Sequence, residues 1–363
     1  KLKPTGLTGS GKLDLTKAVL RSQHFTYKSR SFDADTANFK IRTLDREEFA
    51  FLSDTLNAHI DFDYQRGRFR TIENYSISKF PKNNYLGYIN KFSWKMDEDE
   101  LVVDSKPQPK TTYGKTPELD ALKDANLPGA LYMSTHAGQD SLRFISPEMN
   151  YKLRNNTINA KEVEFIAVAD ARIKPHEGKV TVEEGAKMRK LEESVIIADT
   201  VDQYHRFFNA EAQINSRYDF TGIGDYEYVD KNDSSQIIHF EKIAVDTTVR
   251  TYAEGTITRP DSFKLSPNYL FAGNVFIKSQ RKFMRFRGGA KIIHSCTAIP
   301  SKYMKFETII NPNKIYIPVG KEIRDINNRN IFAGPFITID STHIYSTFLS
   351  PRKDASNEQI IDA

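Results

Sequence analysis

The sequence predicts an all-β, mainly antiparallel protein, an elongated jelly roll or a stack of β rungs like a solenoid, with one or two short helices. Three observations lead there. Apolar residues recur with a period of two from one end of the chain to the other; aromatic residues are abundant, with 24 Phe and 17 Tyr; and Asn-, Asp- and Gly-bearing turns break the runs at short intervals. At 363 residues the chain is roughly 2.4 average domain lengths, enough for two or three domains or one long β architecture. Hydrophobic residues at 39% and charged residues at 27% exclude wholesale disorder.

Along the chain, Gly6-Leu-Thr-Gly-Ser-Gly11-Lys12 carries the spacing of a phosphate-binding loop. Leu13 stands where that loop needs Ser or Thr, and Lys12-Leu13-Asp14-Leu15-Thr16 alternates like a strand, so the glycines read as turn residues. His59 to Tyr64 alternates as a half-buried strand, as do Lys314 to Val319 and Phe336 to Ile339. Turns are expected at Arg66-Gly67, Asn83-Asn84, Lys231-Asn232-Asp233 and Arg287-Gly288-Gly289. One short helix is expected after Thr116-Pro117-Glu118, where a capping residue precedes proline and Leu119, Leu122 and Ala125 share a face. Glu183 to Glu193 suits a short helix as well as a loop, between strands at Val180–Val182 and Val195–Ile197. The polar, proline-bearing stretch from Asp104 to Gly114 suggests an N-terminal β region (1–103), a linker with the helix (104–130) and a larger β region (131–363); a long surface loop within one continuous sheet is the alternative.

No run approaches eighteen consecutive apolar residues, so no helix is expected to span a bilayer. The single Cys296 excludes an internal disulfide and a thiolate-built zinc site. The chain starts at Lys1, which suggests a processed protein or a piece of something longer. No two of the eight histidines form a helical or strand-spaced ligand pair, and neither a metal nor a cofactor is expected. His294 and Cys296 would share a strand face, which reads as a small buried thiol beside an ordinary histidine. Asp61 and Asp63 on one strand face could serve acid-base chemistry or calcium, or form a solvated face; Asp97 to Glu100 reads as a charged turn.

The net charge of +5 is too mild to imply nucleic-acid binding, and nucleic acid is not the expected partner, but the positive charge is concentrated in one stretch. From Ser262 through Phe306 there is no acidic residue, against nine positive charges. A strand over 281–287 would place Arg281, Phe283, Arg285 and Arg287 on one face, which with Lys278 and Lys291 suits the anionic groups of a glycan, a lipid head group or a partner protein. Acids on a neighbouring strand would neutralise it.

The segments Phe32 to Phe39, Ile158 to Val163, Ile197 to Val201 and Phe263 to Val275 resemble the strand-turn rhythm of bacterial envelope β proteins, the lipopolysaccharide-transport (OstA-like) and AsmA/TamB-like groups. Phe80-Pro81-Lys82-Asn83-Asn84-Tyr85 followed by Phe92-Ser93-Trp94-Lys95-Met96-Asp97 resembles a large uncharacterised cell-envelope protein family of Bacteroidetes. The first resemblance implies an open groove that could hold lipid chains. The Asp-[Ser/Thr]-apolar acceptor pattern of exported, O-glycosylated Bacteroidetes proteins is matched at Thr36, Thr55, Ser141, Thr200, Thr247 and Ser341. These readings combine into an exported, non-enzymatic envelope scaffold or binding module. The alternative is a carbohydrate-active enzyme, a β-helical lyase or hydrolase acting on an acidic polysaccharide.

Overall fold

The computed structural model describes residues 2–3, 6–105, 127–295, 302–317, 322–337 and 344–350. The chain is all-β: strands pair antiparallel, only single 3₁₀ turns interrupt them among the described residues, and the sheet does not close into a barrel. Contacts divide it into two units, residues 1–200 with 209–221, and residues 201–208 with 222–363.

The first unit opens with a meander of long strands, Gly6–Asp14, Ala18–Tyr27, Ser31–Arg42 and Phe49–Asp61. The last of these serves two sheets. Its C-terminal half pairs with Arg66–Thr71, and Leu52 in its N-terminal half pairs with Lys79 of Ser76–Phe80. From Arg66–Thr71 one sheet continues through Lys91–Lys95, Glu100–Asp104, Glu148–Lys152, Thr157–Lys161 and Val180–Val182. From Ser76–Phe80 the other continues through Tyr85–Ile89, Ala130–Ser134, Arg143–Ser146, Ile166–Val168, Ala171–Lys174 and Leu191–Ala198. The chain passes back and forth between the two, so each short strand completes its burial against strands distant in sequence.

Aromatic residues at alternate positions fill the space between these sheets. Phe39 stacks on Phe69 at 4.1 Å, Phe69 on Phe92 at 4.7 Å, and Phe51 meets both Phe80 and Phe92 at 5.2 and 5.1 Å. Phe80 meets Tyr151 edge-on at 5.2 Å, and Trp94 is 2% exposed. This interior is packed with the protein's own rings, so it offers no open lipid-chain groove where they meet. Asn83, buried at the Asn83-Asn84 turn, donates from Nδ2 to the carbonyls of Asn156, Val182 and Glu183 and ties that turn to the opposite sheet.

Several sequence expectations are corrected. Gly6, Gly9 and Gly11 lie within a strand that bulges between Gly9 and Gly11. The strand at His59 ends at Asp61, and residues 62–65 turn. Arg66-Gly67 lies in a strand, where a Cβ on Gly67 would press to 2.8 Å on Ile60 and Phe69. Glu184–Ala186 is a 3₁₀ turn, and Ile315 to Ile317 form no strand. Strands either side of the 104–130 segment pair with each other, Glu100–Asp104 with Glu148–Lys152 and Tyr85–Ile89 with Ala130–Ser134. The expected short helix and Cys296 lie outside the described residues.

In the second unit a sheet runs in order through Ser235–Val245, Thr251–Ile257, Tyr269–Lys278, Arg285–Ile292 and Tyr303–Ile309. Its buried face carries Phe271, Phe286 and Phe306, with Phe271 edge-on to Phe286 at 5.1 Å and to Phe306 at 5.7 Å. The opposite face, where the charged residues alternate, carries the candidate site.

Candidate basic recess

The strand Arg285–Ile292 alternates exposed Arg285 and Arg287 with buried Phe286, so both guanidinium groups stand on the outer face. In register, Arg285 lies opposite Phe276 and Ile309, and Arg287 lies opposite Asn274 and Glu307. Gly288 and Gly289 are strand residues here rather than a turn. Gly273, with φ of 149°, lies against Gly288 so closely that a Cβ on either would fall within 2.4 Å of a carbonyl oxygen across the strands.

Arg281 and Phe283 are not on that strand, contrary to the expected continuous strand over 281–287; they occupy the loop between Tyr269–Lys278 and Arg285–Ile292. The loop nevertheless returns them to Arg285. Lys278, Arg281, Phe283 and Arg285 line one recess of about 160 Å³ with Phe276 and Ile309. Arg285 lies over the Phe276 ring at 4.8 Å, and Lys282 over Phe283 at 5.9 Å.

A buried histidine positions the loop. His205 donates from Nε2 to the Arg281 carbonyl at 2.6 Å, and since a carbonyl only accepts, that nitrogen carries a proton. In the neutral ring Nδ1 then accepts from the Tyr226 hydroxyl at 3.3 Å. Burial, which disfavours the imidazolium, pushes His205 below the ordinary histidine range despite the carbonyl.

Of the remaining predicted residues, Arg287 lines a separate groove of about 730 Å³ with Arg259 and Lys305, floored by Gly273, Gly288 and Gly289. Lys291 lies six residues along the strand from Arg285, about 20 Å away, over Tyr303 at 5.9 Å. The basic strand also has its neutralising acid: Glu307 approaches Arg285 at 3.3 Å and Arg287 at 3.6 Å. Arg285 and Glu307 are about half exposed and Arg287 about two-thirds, so the bridging is worth about 0–1 kcal/mol and yields readily to a competing anion.

Sequence reasoning missed Phe276, Ile309, His205 and Glu307. Phe276 and Ile309 follow from strand register, which one strand's alternation does not reveal. Glu307 stood one residue beyond the acid-free run.

The other candidates resolve as structural groups. Asp61 accepts from the backbone N–H groups of Asp63 and Tyr64 at 3.0 and 3.1 Å and so caps its turn, while Asp63 pairs with Arg30 at 2.5 Å. Asp97 to Asp99 form the charged turn. Among the described residues no three His, Cys, Asp or Glu side chains gather as a ligand set. Of the residues matching the acceptor pattern, Thr36, Thr55, Ser141 and Thr247 are exposed and Thr200 is half-buried, with φ of 49°, 61° and 58° at Thr36, Thr55 and Ser141. Asp340-Ser341-Thr342 lies outside the described residues.

Fold and site together define an all-β protein with a basic, aromatic-edged recess on an open sheet face. No protein-family model matches the chain, and no curated protein matches it.

Proposed function

We propose that this protein is a non-enzymatic scaffold or binding module of a bacterial cell envelope that holds an anionic group of a glycan, lipid head group or partner protein in the recess of its second unit. The observation that carries this reading is the convergence of Lys278, Arg281 and Arg285 on one recess edged by Phe276 and Phe283. Cationic groups beside apolar rings suit a sulfate, phosphate or carboxylate borne on a larger, partly apolar molecule. The exposed acceptor hydroxyls and the strand-turn resemblance support an exported setting. No helix among the described residues is long and apolar enough to cross a membrane.

Native mass spectrometry of the protein purified from its own host tests this. A bound anionic lipid or glycan that disappears in Arg281→Glu/Arg285→Glu, with unchanged circular dichroism and melting temperature, supports the recess. The same adduct retained in that variant rejects it. Cell fractionation of the host tests the location separately.

A further inference from the structure

The outer face of the first unit carries a second basic site. Along Arg66–Thr71 exposure alternates strictly, with Arg66, Arg68 and Arg70 outward and Gly67, Phe69 and Thr71 buried. Successive arginines therefore stand about 7 Å apart on one face. Arg68 and Arg70 are flanked in register by His59 and Asn57 on one side and by Ser93 and Lys91 on the other. Together these residues line a groove of about 730 Å³, within the range of about 300–1,000 Å³ common for ligand sites.

Three acids line this groove, and each pairs with a group other than the three arginines. Asp33 holds His59 at 2.7 Å and Lys28 at 3.7 Å, Asp35 holds His24 at 3.0 Å, and Asp104 holds Lys91 at 3.3 Å. Asp61, opposite Arg66, caps its own turn. Among the described residues none of the three arginines makes an ion pair or a side-chain hydrogen bond. An exposed strand with three guanidinium groups in a row, unpaired among the described residues, has a repeating anion as its complement.

The neighbouring chemistry narrows the class of polymer. From Arg68 the same row runs in register through Ser93, Val102, Asn150, Asn159 and Thr181, giving hydroxyl and amide groups on every strand but that of Val102. These match the hydroxyls of a sugar chain. The rings that border the groove, Phe69 and Phe92, are 2% and 3% exposed, so they give nucleic-acid bases no stacking platform. We propose that this face binds a linear acidic glycan, its carboxylate or sulfate groups on Arg66, Arg68 and Arg70 and its hydroxyls along the polar row. This assignment does not depend on the recess of the second unit.

The test is fluorescence-anisotropy titration of the full chain at low ionic strength with labelled oligogalacturonate, a sulfated heparin oligosaccharide, a neutral malto-oligosaccharide and a thymidine oligonucleotide. The expected result is binding of at least one acidic glycan and not the neutral one. Arg66→Gln/Arg68→Gln/Arg70→Gln weakens it roughly tenfold or more without lowering the melting temperature, Arg68→Gln alone weakens it a few-fold, and both losses persist in the Arg281→Gln/Arg285→Gln background, which removes any binding by the recess. The proposal is overturned if neither acidic glycan binds, if both the single and the triple variant bind as the parent does, or if the oligonucleotide binds more tightly than either glycan. Loss in the recess variant alone would assign the glycan to the recess instead.

Discussion

The two basic faces use the same residue type in opposite electrostatic settings. On Arg66–Thr71, three arginines at alternate positions have no ion-pair partner among the described residues, although Asp61, Asp63 and Glu73 lie close by in the sequence. On Arg285–Ile292, two arginines drawn from an acid-free run of sequence share Glu307 across the sheet. Net charge over a stretch of sequence thus misjudges both faces. What counts is the residue opposite in register and whether its charge is already committed to another group.

The largest effect expected from breaking this comparison is at His205. His205→Ala removes the donor to the Arg281 carbonyl and leaves a buried void, so denaturant unfolding should show a loss of about 2–3 kcal/mol. Anion binding in the recess should fall with it. Acidic-glycan binding by the first unit should persist, and its loss would show that the two faces are not separate.

The salt dependence should differ next. For a linear acidic glycan, neutralising Arg66, Arg68 and Arg70 together should reduce the slope of log affinity against log salt by about two, as expected when three contacts to a linear polyanion are lost. An unchanged slope would mean that the row does not contact the polymer.

Glu307→Gln sharpens the contrast from the other side. It frees Arg285 and Arg287, so anion affinity in the recess should rise a few-fold, with a stability change within about 1 kcal/mol. Titration of the recess ligand against parent and variant measures this, and lower affinity in the variant would assign Glu307 a contact of its own with the ligand.

The smallest effect is the pH response of His205. Its folded pKa is depressed by burial, so the unfolded chain, with an ordinary histidine near 6.5, takes up the proton first on acidification. The contribution of this group to stability is therefore complete above about pH 7 and declines as pH falls through the unfolded value toward the folded one. Denaturation of parent and His205→Gln at about pH 7.5 and 5.5 should show a smaller acid loss in the variant; an equal loss would locate the pH dependence elsewhere.

Individual elements show what was legible. The Asn83-Asn84 turn was, because Asn adopts the left-handed backbone of its second residue, φ of 50°, without much penalty. The charged turn at Asp97 to Asp99 was as well. The glycines misled: Gly67, Gly288 and Gly289 looked like turn residues and are strand residues, with side chains or backbone pressed where a Cβ would stand. The predicted cluster around Arg285 was half legible. Charge and aromatic content marked the region, whereas the loop that carries Arg281 back to it depends on His205, 76 residues earlier in the chain.

The sequence by itself determined that this protein is all-β, since alternation of apolar and polar residues is local and commits each strand to one buried face. Only the tertiary structure decided which cations have no acidic partner among the described residues. In an antiparallel sheet a charge meets the residues opposite it on neighbouring strands, and such a partner, as Glu307 is for Arg287, lies about twenty residues away along the chain.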